Sequence, residues 1–169
     1  MLDDLTASRD FRLAQDFIKA YHAARSGLVT LEILRSERLL QGDYAEWLVA
    51  RVLKLTLASS GVQKGFDATD SAGQTYQVKS RIVASVHERT SFDMAHADAA
   101  FDFLIGVFFS RTLDVLAIIR IPRDAVTRMG SQSRSSFRLR WNSTSAGDPD
   151  VEYLYRASEP TAVIVAAQI

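Results

Sequence analysis

The sequence predicts a mixed α/β (α+β) fold, with one central β-sheet flanked by helices. Three observations predict it. Long stretches of helical periodicity occupy the first part of the chain, up to about Leu57. Two strand-like runs follow, Gly65–Thr69 and Thr75–Arg81, separated by Ser71-Ala72-Gly73-Gln74, which carries turn chemistry. Two strongly apolar runs, Phe101–Phe109 and Val115–Ile121, then flank Ser110-Arg111-Thr112-Leu113-Asp114 as a second hairpin.

Each element has its own justification. From Ser8 to Ala24, Phe11, Ala14, Phe17, Ile18 and Tyr21 recur at helical spacing, with Ser8 or Asp10 as cap and Gly27 as closing residue. Thr30–Leu40 is ambiguous between short helix and strand. Asp43–Leu57 reads as an amphipathic helix. Ile82–Ala100 is polar and reads as loop with one short helical turn. Pro122 suits the first turn of a short helix reaching Met129. Phe137–Trp141 alternates apolar and basic residues as a strand does, between soft loops at Ser131–Ser136 and Asn142–Gly147. Asp148–Glu152 is acidic, and the apolar tail from Thr161 to Ala167 forms a final strand or a docked helix. At 169 residues this is one domain. Residues 1–40 form a helical N-terminal part, 41–141 the core and 142–169 a C-terminal extension.

A hydrophobic fraction of 47% and a charged fraction of 24% are those of an ordinary globular protein. Net charge is zero, so any attraction to nucleic acid must come from local fields. The chain has no cysteine, which excludes disulfides and thiolate metal sites and fits a cytoplasmic location. No signal-like run follows Met1, and no apolar stretch is long enough to span a bilayer.

The chemistry concentrates in two places. On the strand Thr75–Arg81, side chains alternate, so Gln77 and Lys79 share a face with Thr75 and Arg81. A five-residue turn at Ser71–Thr75 would set Asp70 against Tyr76 and Asp67 against Lys79, clustering Asp67, Gln77 and Lys79. A change of one residue in that turn would send Asp67 to the other side. Projecting Asp43–Leu55 at 100° per residue puts Asp43, Trp47, Arg51 and Lys54 outward. Glu46 falls instead between Ala50 and the stripe holding Val49 and Leu53. A carboxylate turned toward a core needs a cation, a metal or several donors. The residues alone leave the bland reading open, in which Glu46 and Lys79 form a plain ion pair and Asp67 merely ends a strand.

Glu46, Asp67 and Gln77-Val78-Lys79 match, in order and approximate spacing, the signature of the PD-(D/E)XK nuclease superfamily. The Gln-x-Lys variant most resembles Mrr-type restriction endonucleases, in which glutamine replaces the usual acidic residue. The wider pattern Gly42-Asp43-Tyr44-Ala45-Glu46, Lys64-Gly65-Phe66-Asp67-Ala68 and Tyr76-Gln77-Val78-Lys79-Ser80-Arg81 is similar to that of bacterial restriction-endonuclease-like domains. The resemblance covers Gln41–Arg81. It implies a restriction-endonuclease-like fold and Mg²⁺-dependent hydrolysis of phosphodiesters, with Mn²⁺ as a substitute. Asp67 would anchor the metal, joined by the Val78 carbonyl, the Gln77 oxygen and Glu46, while Lys79 would serve the attacking water and the phosphate. Nucleic acid, DNA ahead of RNA, would be the partner, and paired cuts in a duplex would favour a homodimer. Two departures stand: glutamine removes one negative charge, and the superfamily core passes through a helix after its third strand, where this chain shows a hairpin.

Six arginines lie between Arg120 and Arg140 (120, 123, 128, 134, 138 and 140), opposed only by Asp124. With Lys64 and Arg81, the side chains of Arg134, Arg138 and Arg140 make a candidate phosphate-tracking surface. A solvated strand face is the equal alternative. Phe137 and Trp141 read as core residues ahead of base-stacking ones. His87, Asp93 and His96 match no tight metal-ligand spacing. Two rival functions follow. One is a catalytically silent nucleic-acid-binding or assembly module on the same fold. The other is an unrelated α+β interaction domain whose Glu46–Lys79 pair is structural.

Overall fold

Strand Thr75–Ile82 is the hinge of the architecture, because neighbours of opposite direction flank it. The computed structural model describes residues 9–35, 40–58, 65–94, 101–132 and 136–157. The helices are α1 (Arg9–Thr30), α2 (Leu40–Leu53), α3 (Arg123–Met129) and α4 (Ser143–Ala146). The strands are β1 (Thr56–Leu57), β2 (Ala68–Thr69), β3 (Thr75–Ile82), β4 (Thr90–Met94), β5 (Phe103–Phe109), β6 (Val115–Pro122), β7 (Gly130–Gln132), β8 (Phe137–Trp141) and β9 (Glu152–Arg156). A six-stranded sheet runs in the order β1-β2-β3-β5-β6-β9, and a three-stranded sheet runs β4-β8-β7. β3 pairs parallel with β5, so the chain must cross over between them; the other pairs are antiparallel. This is the mixed α/β architecture that the sequence predicts.

Alternation on β5 and β6 builds two cores. Ile105, Val107, Phe109 and Ile118 join Tyr76 and Val78 under Ala45 and Val49 of α2. Leu104, Phe108, Ile119 and Ile121 face the other way, onto Phe92 of β4, Leu139 and Trp141 of β8, and Ala125 and Val126 of α3. Helices and the small sheet therefore cover both faces of the main sheet. At Gly106 the two sheets pack tightly: a Cβ there would lie 2.8 Å from the Ile119 side chain and 3.0 Å from the Phe92 ring of the small sheet.

Several expectations are corrected. α1 does not close at Gly27 but continues to Thr30. It ends where the Glu32 N–H donates to the Val29 carbonyl (2.9 Å) and the Ile33 N–H to the Leu28 carbonyl (3.0 Å), with Glu32 left-handed at φ 59°. That is a Schellman closure with glutamate in the position glycine usually takes. Of the apolar stripe on α1, Phe17 and Tyr21 are exposed rather than packed, and the side chains of Phe11, Ala14 and Ile18 lie outside the described ones. α2 stops at Leu53, and its last turn closes in the same way, with Leu55 N–H on the Ala50 carbonyl (2.8 Å) and Lys54 at φ 56°. Asp43 is buried, not outward, and its carboxylate accepts the Arg35 N–H (3.1 Å).

The segment read as loop at Ile82–Ala100 contains β4, because Phe92 and Met94 bury against β8. The crossover from β3 to β5 thus passes through a strand of the second sheet. The loop read at Asn142–Gly147 contains the one-turn helix α4, which Asn142 caps by accepting the N–H groups of Thr144 and Ser145. The acidic segment leads into an edge strand, β9. The tail 161–167 lies outside the described residues. Among the described residues, no helix is long and apolar enough to cross a membrane.

Candidate functional site

The geometry around Asp67 is set by a turn. Asp70 Oδ1 accepts the N–H groups of Ala72 and Gln74, both at 2.9 Å, and its Oδ2 accepts the Tyr76 hydroxyl at 3.0 Å. Partial desolvation pushes the Asp70 carboxyl up, but the donors of Gln74, Tyr76 and Ala72 outweigh it and leave it below its ordinary range. Gly73, at φ 83°, supplies the left-handed residue of the turn. The Asp70 N–H then bonds the Gln74 carbonyl, and the ladder places Thr69 against Thr75 and Ala68 against Tyr76.

The turn therefore begins earlier than expected, and Ala68 takes the place expected for Asp70. Asp67 does not face Lys79. Its N–H donates to the Tyr76 carbonyl (2.8 Å), the residue already paired with Ala68. Two residues opposing one is the arrangement of a β-bulge, which ends the pairing and re-aims a side chain. The re-aimed Asp67 carboxylate accepts the Val78 N–H at 2.7 Å and the Gln77 side-chain amide.

Beyond the bulge, β2 no longer accompanies β3. A strand residue points its N–H and C=O to the same edge, so the Val78 carbonyl is presented toward the edge where Asp67 lies. Along that edge runs a cleft of about 500 Å³ whose walls include Gln41, Glu46, Val78, Lys79 and Arg81. α2 supplies Glu46 from one side, anchored by Ala45 and Val49 in the core. Gln41 reaches β3 directly, its amide donating to the Ser80 hydroxyl at 3.1 Å. Glu46 is half-buried at the edge of the helix's buried stripe, as its spacing predicts.

Lys79 is half-buried and, among the described residues, has no hydrogen-bond or ion-pair partner. The plain Glu46–Lys79 ion pair is thus not formed. Lys79 is level with Gly106 on β5, which has no side chain to crowd it. The structure accordingly brings the predicted residues together in two sets that share Val78. Asp67, Gln77 and Val78 are hydrogen-bonded, and Glu46, Val78 and Lys79 line one cleft. Gln77 turns its amide nitrogen to Asp67, so here it supports that carboxylate rather than presenting its oxygen beside it.

The basic residues divide. Arg81 donates to the Ser80 carbonyl (2.8 Å) and to Asp93 (3.2 Å), with its guanidinium over the Phe92 ring. Arg138 binds the other Asp93 oxygen from β8. The Arg138 hydrogen bond, reinforced by the charges of Arg138 and Arg81, holds Asp93 below the usual carboxylate range against a smaller effect of burial. Arg140 is exposed on the same strand as Arg138 and has no side-chain partner among the described residues. Lys64 and Arg134 lie outside the described residues. Much of the arginine run is neutralised by the acidic segment: Arg120 pairs with Glu152, and Arg128 with Asp148 and Asp150. Phe137 and Trp141 are buried in the core, which removes them as stacking platforms. His87 bonds Arg156 (2.9 Å), and His96 lies outside the described residues.

Among the described residues, no group of three or more histidine, aspartate or glutamate side chains gathers as a metal centre. The donors at the bulge still suit a hard cation, because Mg²⁺ takes one or two carboxylates and completes its shell with water and phosphate. Asp67 is such a carboxylate, the Val78 carbonyl is a second oxygen donor, and Glu46 lines the adjoining cleft. No protein-family model matches the chain, and no curated protein matches its sequence.

Proposed function

We propose that this chain is a Mg²⁺-dependent nuclease of restriction-endonuclease-like type, hydrolysing phosphodiester bonds in nucleic acid, DNA ahead of RNA. One observation carries the reading. A half-buried lysine with no ion-pair partner among the described residues shares a cleft with a helix glutamate, next to the main-chain N–H that holds Asp67 at a β-bulge. A lysine ammonium at a cleft wall, paired with no carboxylate among the described residues, is a ready donor for an anionic substrate.

Asp67, the Val78 carbonyl and Glu46 would hold the cation, Glu46 directly or through water. The bound Mg²⁺ supplies positive charge at the scissile phosphate and acidifies water. The remaining work falls to side chains of this chain. Gln77 keeps the Asp67 carboxylate aimed by donating to it, and would ligate through its oxygen only with its amide turned over. Lys79 donates to a non-bridging phosphate oxygen as charge builds there and orients the attacking water. Arg81, fixed by Asp93 and resting on Phe92, stands at the cleft wall where a flanking phosphate would lie. Arg138 and Arg140 extend the positive surface along β8.

The test is cleavage of plasmid, single-stranded DNA and RNA with Mg²⁺, Mn²⁺ or EDTA. The proposal expects cutting that needs the metal and disappears in Asp67→Ala. No cutting of any of these substrates, together with undiminished nucleic-acid binding, would instead support a catalytically silent binding module.

A further inference from the structure

Helix α1 carries its apolar face uncovered. It runs for 22 residues, Arg9–Thr30, which is about 33 Å of helix. Among the described residues, no strand and no other helix packs along it. The chain enters the body just past the end of α1, where Ile33 and Leu34 are buried. Helices in folded proteins draw most of their stability from packing an amphipathic face, and nothing described in the single chain does this for α1.

The uncovered face is regular. Phe17, Tyr21, Ala24, Leu28 and Leu31 follow one another at alternating steps of four and three residues, and Leu13 extends the row by one turn. Such a row makes a single stripe on a helix, the seam along which helices pair side by side. Phe17 is 66% exposed and Tyr21 63%. With Leu13, Val29 and Leu31 they are five of the eight large apolar residues exposed among the described ones, and all but Val29 lie on the stripe. Ala20 and Ala24, also exposed, keep the middle of the stripe low enough for another helix to lie close.

Charge and area decide what covers it. On the polar side Lys19 is answered by Asp16 at 3.9 Å, and His22 and Ser26 follow it. This is not the basic face by which amphipathic helices hold anionic membranes. The stripe suits its own copy instead. At these exposures it presents roughly 500–600 Å² of side-chain surface per copy. Two copies covering each other would bury about 1,000–1,200 Å², the size at which stable protein interfaces begin. In a two-fold pair the residues that need cover also supply it.

We infer that α1 is a self-association helix, through which two copies of this chain pair side by side along Phe17, Tyr21 and Leu28. The inference stands apart from the nuclease reading, because no residue of the Asp67 site lies on α1.

Sedimentation equilibrium of the full chain across micromolar concentrations should show a monomer–dimer equilibrium. Phe17→Gln and Tyr21→Gln each remove a ring from both copies and should weaken it about 100-fold or more, as anchor residues at the centre of an interface do. Both side chains are largely exposed in the single chain, so thermal melts taken below the dimerisation range should match the unaltered protein. Lys19→Gln, on the polar side, should leave the equilibrium unchanged. A monomer at every concentration overturns the proposal, as does a dimer that Phe17→Gln and Tyr21→Gln leave intact. Substitutions that destabilise the monomer would show the stripe packed within its own chain, which overturns it too. Binding of a monomeric chain to anionic phospholipid vesicles, abolished by the same substitutions, would give the face to a membrane and overturn it likewise.

Discussion

Replacing Phe92 by alanine tests the least expected element of the fold, the strand β4 in a segment whose composition reads as loop. Phe92 is fully buried between the two sheets. Its ring meets Phe108 edge-on at 5.5 Å and Trp141 at 6.3 Å, and it approaches β5 closely where Gly106 leaves room. Withdrawing such a ring from the core forfeits roughly 2–3 kcal/mol of transfer free energy. The lost aromatic contacts add about 0.5–1.5 kcal/mol. With the cavity left behind, the total falls at about 3–5 kcal/mol, the range of buried Phe→Ala changes. That is a large share of a domain's stability of about 5–15 kcal/mol. Urea denaturation followed by circular dichroism measures it, with Arg111→Ala, an exposed hairpin position, as control expected within about 0.5 kcal/mol. The variant should lower the midpoint strongly at unchanged slope. A loss below about 1 kcal/mol would refute the packing argument, because a side chain on a solvated loop costs no more than that.

Two further outcomes follow from the described contacts. Glu32→Gly relieves a left-handed glutamate while loosening the unfolded chain, and should raise stability by roughly 0.5–1 kcal/mol in thermal melts; a loss would contradict the Schellman closure. Asp93 has a lowered pKa, so its contribution is complete above its ordinary value of 3.8 and is lost as pH falls through the lowered value. Asp93→Asn should therefore flatten the acid side of the stability profile below about pH 4, and an unchanged acid limb would contradict the Arg138–Asp93–Arg81 arrangement.

Legibility in the sequence tracks how local the determining physics is. The runs at Thr75–Arg81, Phe101–Phe109 and Val115–Ile121 announce themselves by alternation or by continuous apolar character, and they are β3, β5 and β6. Phe137–Trp141 alternates buried and exposed residues as its pattern requires. β4 has only Phe92 and Met94 to mark it, and their burial is conferred by β8, distant in sequence. The helix ends were misplaced because Gly27 sits unremarked inside α1 while Glu32 and Lys54 adopt conformations that sequence rules assign to glycine. The odd position of Glu46 on its helix was legible from periodicity. The register beside it was not, because the Asp70 carboxylate tightens the turn and a bulge at Asp67 uses an extra residue. Periodicity placed Phe17 and Tyr21 on one stripe of α1, but no local pattern tells that the rest of the described chain leaves that stripe exposed.

The most direct measurement compares Lys79→Ala with the unaltered chain in stability, nucleic-acid binding and Mg²⁺-dependent cleavage. Among the described residues Lys79 has no partner to lose, so stability should change by less than about 0.5 kcal/mol, binding should persist, and cleavage should vanish. Full cleavage by Lys79→Ala, or destabilisation above about 1 kcal/mol as expected for a structural charge, would contradict the account.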